Sequence, residues 1–501
     1  MSTLQRWRGT SGRPRTRTAQ TTRRRFLAGG LVAGSLVAGA AGLTGVAAAA
    51  GGGNVLGQLL AAPSTIGQRD ADGADSPNRS HPDGGPAAVS VPCDPARLVA
   101  ALVHADAQGG GTLRLAPKCT YTLTEAAFDD DRFDGGVRDA REASDQLENG
   151  ENSSNTAKTK EQIRRENSSG LPVVYHPITI EGDGATIARH PNAPEFRFFT
   201  VRDGGELKLS DVTLRNGRSV AEGGSVHVVH GGSAVLERTT ITQSLSFSAE
   251  GGGGAVFNDG NLVVTDSTFT QNAATARTGR GGGLLNGGVL TVTGSTFRDN
   301  SAAAIGGGLA NFRGAADIGG STFEHNSATQ GGGLASFSAR TRVWDTKVTG
   351  NTAGNGGGIA NSDATIALRG LTVRDNLATG DGGGVWASRG LITLDATVVT
   401  ANVAHRFGGG LFTDRSNVPV RHSEITGNGA VGATSTGGGI HASGGQVSLF
   451  ASRVTENRSV VAPGGIFGRN LRVNVDPRSV VTDNRPTNCQ GSPAPIGNCF
   501  R

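Results

Sequence analysis

One pattern of apolar positions recurs along most of the chain. A glycine triplet, ending at Gly254, Gly283, Gly308, Gly333, Gly358, Gly384, Gly410 or Gly439, precedes a single aliphatic or small residue (Ala255, Leu284, Leu309, Leu334, Ile359, Val385, Leu411, Ile440), and Gly464-Gly465-Ile466 closes the series. An asparagine follows 17 to 19 residues after the last glycine: Asn272, Asn300, Asn326, Asn351, Asn376, Asn402, Asn428, Asn457 and Asn484. Three residues before each asparagine stands an apolar residue (Phe269, Phe297, Phe323, Val348 and their equivalents), and five residues before that another (Val264, Val292, Ile318, Val343). Within a unit the alternation has period two, as in Leu290-Thr291-Val292, which predicts short strands with one buried face. Helices are excluded, because glycine costs a helix roughly 1 kcal/mol per residue relative to alanine.

Strands this short, with like residues recurring once per unit, predict an all-β solenoid: a parallel β-helix of roughly 11–13 coils stacked ~4.8 Å apart. The asparagines then form a ladder of side-chain amides, and the glycines make a tight corner. Leucine-rich repeats share the period but need several leucines per unit. Asp94-Pro95 with Leu98, Leu102 and Ala105 predicts an N-capped amphipathic helix over residues 94–108, which would plug the first coil. The β-helix is expected over residues 91–485, interrupted by a charged, disordered insertion at 126–170. Residues 51–90 read as a Gly/Pro/Ser-rich linker and 486–501 as a C-terminal tail. The stretch from each asparagine to the next triplet varies in length, so insertions should emerge along one edge.

Composition supports a narrow core. Glycine supplies 80 of 501 residues, while aromatics make up 5% and hydrophobics 36%. The net charge of +5 owes its sign to eight arginines within residues 1–50. Without them 39 basic residues face 42 acidic ones, which leaves no electrostatic case for nucleic-acid binding. Arg23-Arg24-Arg25-Phe26-Leu27, followed by a Gly/Ala-rich apolar run to Ala50, reads as a twin-arginine export signal over residues 1–50 with a small-residue cleavage site. The expected location is therefore extracellular, with no transmembrane segment in the mature chain. Four cysteines suit that compartment. The economical pairing is Cys93 with Cys119 and Cys489 with Cys499, one staple per end; metal ligation is the alternative, and no C-x-x-C supports it.

The combination Gly281-Gly-Gly-Leu284 with Phe297-x-x-Asn300, repeated as Gly306-Gly-Gly-Leu309 with Phe323-x-x-Asn326, resembles the right-handed parallel β-helix proteins that carry polymorphic-outer-membrane-protein-type repeats. The resemblance covers about residues 90–485 and implies a right-handed, pectin-lyase-like solenoid. That group includes polysaccharide lyases, hydrolases and adhesins, so the likeness is specific for fold and weak for function. The chain lacks the C-terminal membrane barrel of the autotransporter members.

Catalytic motifs are scarce. Asn361-Ser-Asp363 echoes a hydrolase motif of this fold and Arg189-His-Pro191 a lyase motif, each without its partners. Arg298-Asp299 and Glu324-His325 fall at equivalent positions of adjacent coils, where Asp299 would pair with His325, as catalytic or merely surface charge. His227 and His230 lie too poorly for a shared metal. No catalytic residue, metal site or cofactor is assigned. The residue after each buried aliphatic (Ala310, Ala335, Ala360, Trp386, Phe412, His441, Phe467) is expected to point outward. Trp386, Phe412, His441 and Phe467 would then form an aromatic strip about 14 Å long, either packed under a C-terminal loop or open to a ligand. The favoured reading is a secreted, adhesin-like binder of polysaccharide or cell-surface glycan. A lyase or glycoside hydrolase is the rival, and a structural envelope protein the third option.

Overall fold

A computed structural model describes residues 88–128 and 168–499. The export-signal and linker readings, and residues 129–167 of the insertion, lie outside the described residues.

Short strands run through about 14 stacked turns, with almost no helix. The strand-to-strand pairings between turns are parallel, and apart from a register shift between Glu181 and Ala185 of Pro177–Arg189 they run in register, as between Leu284–Asn286 and Leu309–Phe312, where Leu284 faces Leu309 and Asn286 faces Asn311. A full turn carries four strands. The first follows the glycines (Leu309–Phe312), the second is Ala315–Gly319, the third Thr322–Glu324 and the fourth Ser327–Gln330. Fourth-row strands form a separate sheet of ten; the other three rows belong to a sheet of 34. The turn count exceeds the 11–13 expected because rungs such as Val89–Val91 and the long strand Pro177–Arg189 carry no glycine triplet to announce them.

Period-two alternation decides which side chains enter the core. Leu290 and Val292 are buried, whereas Val289, next to Leu290 on the same strand, is 55% exposed. Inside, the rings of Phe269, Phe297 and Phe323 stack at centroid distances of 4.6 and 4.9 Å, each tilted by 7°. The rung spacing imposes that offset stack, and each ring contributes on the order of 3 kcal/mol by burial. Next to it runs the asparagine ladder. Asn326 Nδ2 donates to Asn351 Oδ1 at 3.0 Å, and Asn351 Nδ2 to Asn376 Oδ1 at 3.0 Å. Such bonds link the nine asparagines of the series from Asn272 to Asn484, at intervals of 25 to 29 residues. Asn488 adds one more rung by accepting from Asn484 Nδ2 at 2.9 Å. A shorter second ladder, Asn258–Asn286–Asn311, lies two residues after the buried aliphatic of the first row.

Both ends are covered. Helix α1 (Pro95–Ala107) is N-capped by Asp94, whose carboxylate accepts from Ala96 N, and it buries Leu98, Leu102 and Ala105 on the first rungs. Cys93 and Cys119 are joined at a Cα separation of 5.7 Å, Cys489 and Cys499 at 6.1 Å. The second bridge ties down a tail that lies over the last rungs, where Ala494 N bonds Gly468 O and Asn498 Nδ2 bonds Val475 O. At the insertion, Phe128 and Ser169 form an antiparallel bridge that closes its two roots.

Candidate functional site

The first-row strand has two outward positions, the second and fourth residues of Leu309-Ala310-Asn311-Phe312 and its equivalents. At the second position, Trp386, Phe412, His441 and Phe467 occupy four successive rungs in strict register. The rings of Phe412 and His441 stand 5.4 Å apart, and those of His441 and Phe467 4.4 Å, both tilted by 12°.

The column leaves the core but does not lie open along its length, contrary to the expectation of a solvent-facing row. Ala310, Ala335 and Ala360 are fully buried. The cause is the chain that enters each triplet. A Cβ added at Gly331 would stand 3.0 Å from Ala335 Cβ, and one added at Gly382 2.9 Å from Trp386 Cβ. These glycines also hold φ of +66° and +70°, backbone that other residues rarely adopt. Incoming glycines therefore cover the base of the column. Alanines end beneath them, and only the larger rings of Trp386, Phe412 and Phe467 emerge, half-buried.

His441 is the second departure, since it is only 6% exposed. Phe407 stacks on it at 4.6 Å, in addition to Phe412 and Phe467. Thr436 Oγ1 and His441 Nδ1 share a hydrogen bond of 2.9 Å. Burial lowers the imidazole pKa to about 4, against that bond, with the nearby Arg469 charge lowering it further. The ring is thus neutral at pH 7 and serves as the middle of an aromatic stack.

Phe407 and Thr436 belong to a column that the sequence reading overlooked: the residue before each triplet, namely Arg280, Ile305, Gln330, Asn355, Asp381, Phe407 and Thr436. Isolated parallel bridges tie Arg280 to Ile305 and Ile305 to Gln330. The long asparagine-to-triplet stretch through residues 430–436 delivers Thr436 here, so the variable edge borders the ring strip. Asp381, 8% exposed, accepts from Phe407 N at 3.2 Å and lies 3.7 Å from Arg406 Nη1. Burial raises its pKa despite both partners.

The remaining sequence candidates have structural occupations. Asp363 is held in a two-pronged pair with Arg389 at 2.7 Å, which lowers its pKa. Arg189 is buried, and its guanidinium donates to the carbonyls of Asn216, Ala193 and Pro194. Arg298 faces Glu324 in register, but His325 lies against Gly350, its ring within contact of a Cβ placed there, and among the described residues no ion pair joins it to Asp299. His227 meets Phe257 at 4.9 Å between centroids with the planes tilted by 40°, and His230 is exposed in the turn beyond. Burial, reinforced by Arg197 and Arg202, holds the His227 pKa well below the usual imidazole value. A shallow cavity of about 270 Å³ beside Phe450, Val475 and Asp476 lies on the second-row strands, apart from these rings. Among the described residues, no three His, Cys, Asp or Glu side chains converge as a metal site, and no helix is long and apolar enough to cross a membrane.

A family described as the right handed beta helix region matches residues 199–390. No curated protein sequence matches the chain. Among solved structures, the chain is similar to the A-module of the Azotobacter vinelandii mannuronan C-5 epimerase AlgE6, at 15% identity over 77% of this chain and 93% of that one, with a TM-score of 0.43. The AlgE4 A-module of the same organism gives 15%, 77% and 95%, with a TM-score of 0.38. The match over residues 199–390 and the fourfold rows of parallel strands agree on the architecture: an all-β, right-handed parallel β-helix.

Proposed function

We propose that this protein is an exported, adhesin-like β-helix that binds carbohydrate without cleaving it, through the exterior of its first-row strands. The observation that carries the reading is the line of Trp386, Phe412, His441 and Phe467, one ring per rung over about 14 Å. Pyranose rings with equatorial substituents expose flat C–H surfaces, and the half-buried Trp386 with the outward edges of the stacked Phe412 and Phe467 rings makes a rigid apolar ridge that suits them. The strand ladder holds all four side chains in place, and stacking on His441 fixes Phe412 and Phe467 further, so binding costs little side-chain entropy.

Native electrophoresis through gels containing hydroxyethylcellulose, xylan or polygalacturonate tests the reading. At least one polymer should retard the protein. Trp386→Ala with Phe412→Ala should weaken that retardation roughly thirtyfold, at about 1 kcal/mol per lost ring contact. Unchanged mobility of both proteins in all three gels rejects it. Export belongs to the same proposal: replacing Arg23 and Arg24 by lysine should leave the chain inside the cell.

One observation favours cleavage as a second reading. Burial that raises a carboxyl's pKa favours a general-acid role, and Asp381 lies beside the strip with its pKa raised by burial. The other carboxylates of that face, Asp363 and Asp414, are engaged by Arg389 and Arg415. Release of reducing ends or of ultraviolet-absorbing unsaturated ends from any of the three polymers would establish this reading in place of the first.

A further inference from the structure

The aromatic surface of the first-row strands does not stop at Trp386. Towards the N-terminus the next three rungs carry Ala360, Ala335 and Ala310 at the second position, all fully buried. On two of these rungs an aromatic returns at the fourth position, two residues along the same strand and on the same side: Phe337 and Phe312, paired in register and half-buried. Arg280 lies over the Phe312 ring at 4.0 Å from its centroid. Two rungs before Phe312, the second position is aromatic again, with the Phe257 ring 4.9 Å from that of His227 and tilted 40° to it. Leu285 fills the rung between them, registered with Phe257 on one side and Ala310 on the other.

The rings therefore form one track along the solenoid: His227, Phe257, a step through Leu285, then Phe312 and Phe337 displaced by one outward position, and back to Trp386, Phe412, His441 and Phe467. Ten consecutive rungs are spanned, and eight of them bear a ring. Nine spacings of ~4.8 Å make a face of roughly 43 Å, the reach of about eight sugar rings in an extended chain. The sideways step has a structural cause. Where the second position is alanine, its methyl ends beneath the incoming glycine, and on two such rungs the fourth position supplies the ring instead.

We propose that this whole track, and not the four-ring strip alone, is one binding face for a single extended pyranose polymer lying along the solenoid axis. The proposal rests on the carbohydrate-binding reading and adds the size of the ligand and the residues His227, Phe257, Phe312 and Phe337. Successive rings act on one chain, so each further sugar engaged adds to affinity in place of a separate encounter. A partner this long is a polysaccharide strand; a short oligosaccharide engages only part of the face.

The test is calorimetric titration of the full exported chain with cello-oligosaccharides and oligogalacturonates of about four and about twelve units. The twelve-unit chain of the series that binds should bind at least about tenfold tighter per molecule than the four-unit chain. Phe312→Ala with Phe337→Ala should weaken the long chain about tenfold while leaving the short one unchanged, and Phe312→Tyr with Phe337→Tyr should restore it. Thermal melting of each variant separates lost contacts from lost fold. Equal affinity for both lengths, or an unaffected long chain in the alanine variant with its fold intact, overturns the extended track while leaving the four-ring strip standing. Absence of binding in both series at both lengths, together with unretarded migration in all three polymer gels, removes the carbohydrate reading itself.

Discussion

At the scale of single residues, burial of ionisable side chains beside the strip gives stability a pH dependence of opposite sign at two positions. His441 has a folded pKa of about 4 against an ordinary value near 6.5. Its neutral form is favoured in the fold, so its contribution is complete above pH ~6.5 and is lost as pH falls towards 4, by about 3 kcal/mol in all. His441→Phe should flatten that part of the profile, measured as the difference between variant and parent in urea unfolding across this range. Asp381 behaves in reverse. Its raised pKa means the folded state holds its proton more tightly than the unfolded chain does. Stability on its account is greatest at low pH and falls as pH rises through and above the ordinary aspartate value of about 3.9. Asp381→Asn should therefore raise the melting temperature at neutral pH, and the gain should vanish below that value. Neither environment is legible from residue order. That His441 sits among Phe407, Phe412 and Phe467 depends on a chain segment from the preceding turn folding over it, which no local pattern encodes.

At the scale of the strand and its corner, the dominant device is the asparagine ladder. Asn351 is fully buried and its side chain makes five hydrogen bonds: Oδ1 accepts from Asn326 N and Nδ2, and Nδ2 donates to Phe323 O, Thr349 O and Asn376 Oδ1. Asn351→Ala would orphan partners on three successive turns in a dry interior, where each unpaired group costs about 1–3 kcal/mol. A loss of about 3 kcal/mol or more by urea unfolding is expected, and a loss under 1 kcal/mol would show the ladder to be ornamental. Gly383→Ala should also destabilise, because its Cβ would stand 2.5 Å from the Val403 carbonyl carbon of the next turn. These elements were readable from sequence because each places one residue type at a fixed interval, and an 18-residue spacing survives any change in loop length. Alternation distinguishes inside from outside, but not exposed from covered. That is why the buried alanines at 310, 335 and 360, and the column before the triplets, came only from the structure. The count of turns fell short for a different reason: in Pro177–Arg189 the corner is made by Asp183-Gly184 within one continuous strand, with no triplet to mark it.

At the scale of the whole molecule, each turn contacts only its neighbours, so stability accumulates along one dimension and is weakest at the two ends. The disulfides and the covers they hold act there. Cys489→Ser with Cys499→Ser should release the tail that bonds Gly468 and Val475. Amide exchange should then accelerate first in the last strands, Ile466–Arg469, Arg472–Val475 and Val480–Thr482, and leave the central turns unaltered. Uniform acceleration along the chain would mean the turns melt as one unit.

The strict register between turns has a consequence for how such a molecule changes over generations. One repeat of about 25 residues supplies at once a rung of the interior and one place on the outer wall. Duplication or loss of a whole repeat, with the terminal covers kept, would therefore lengthen or shorten the outer wall by a single increment and leave every other position in step, much as a ruler is cut at its graduations.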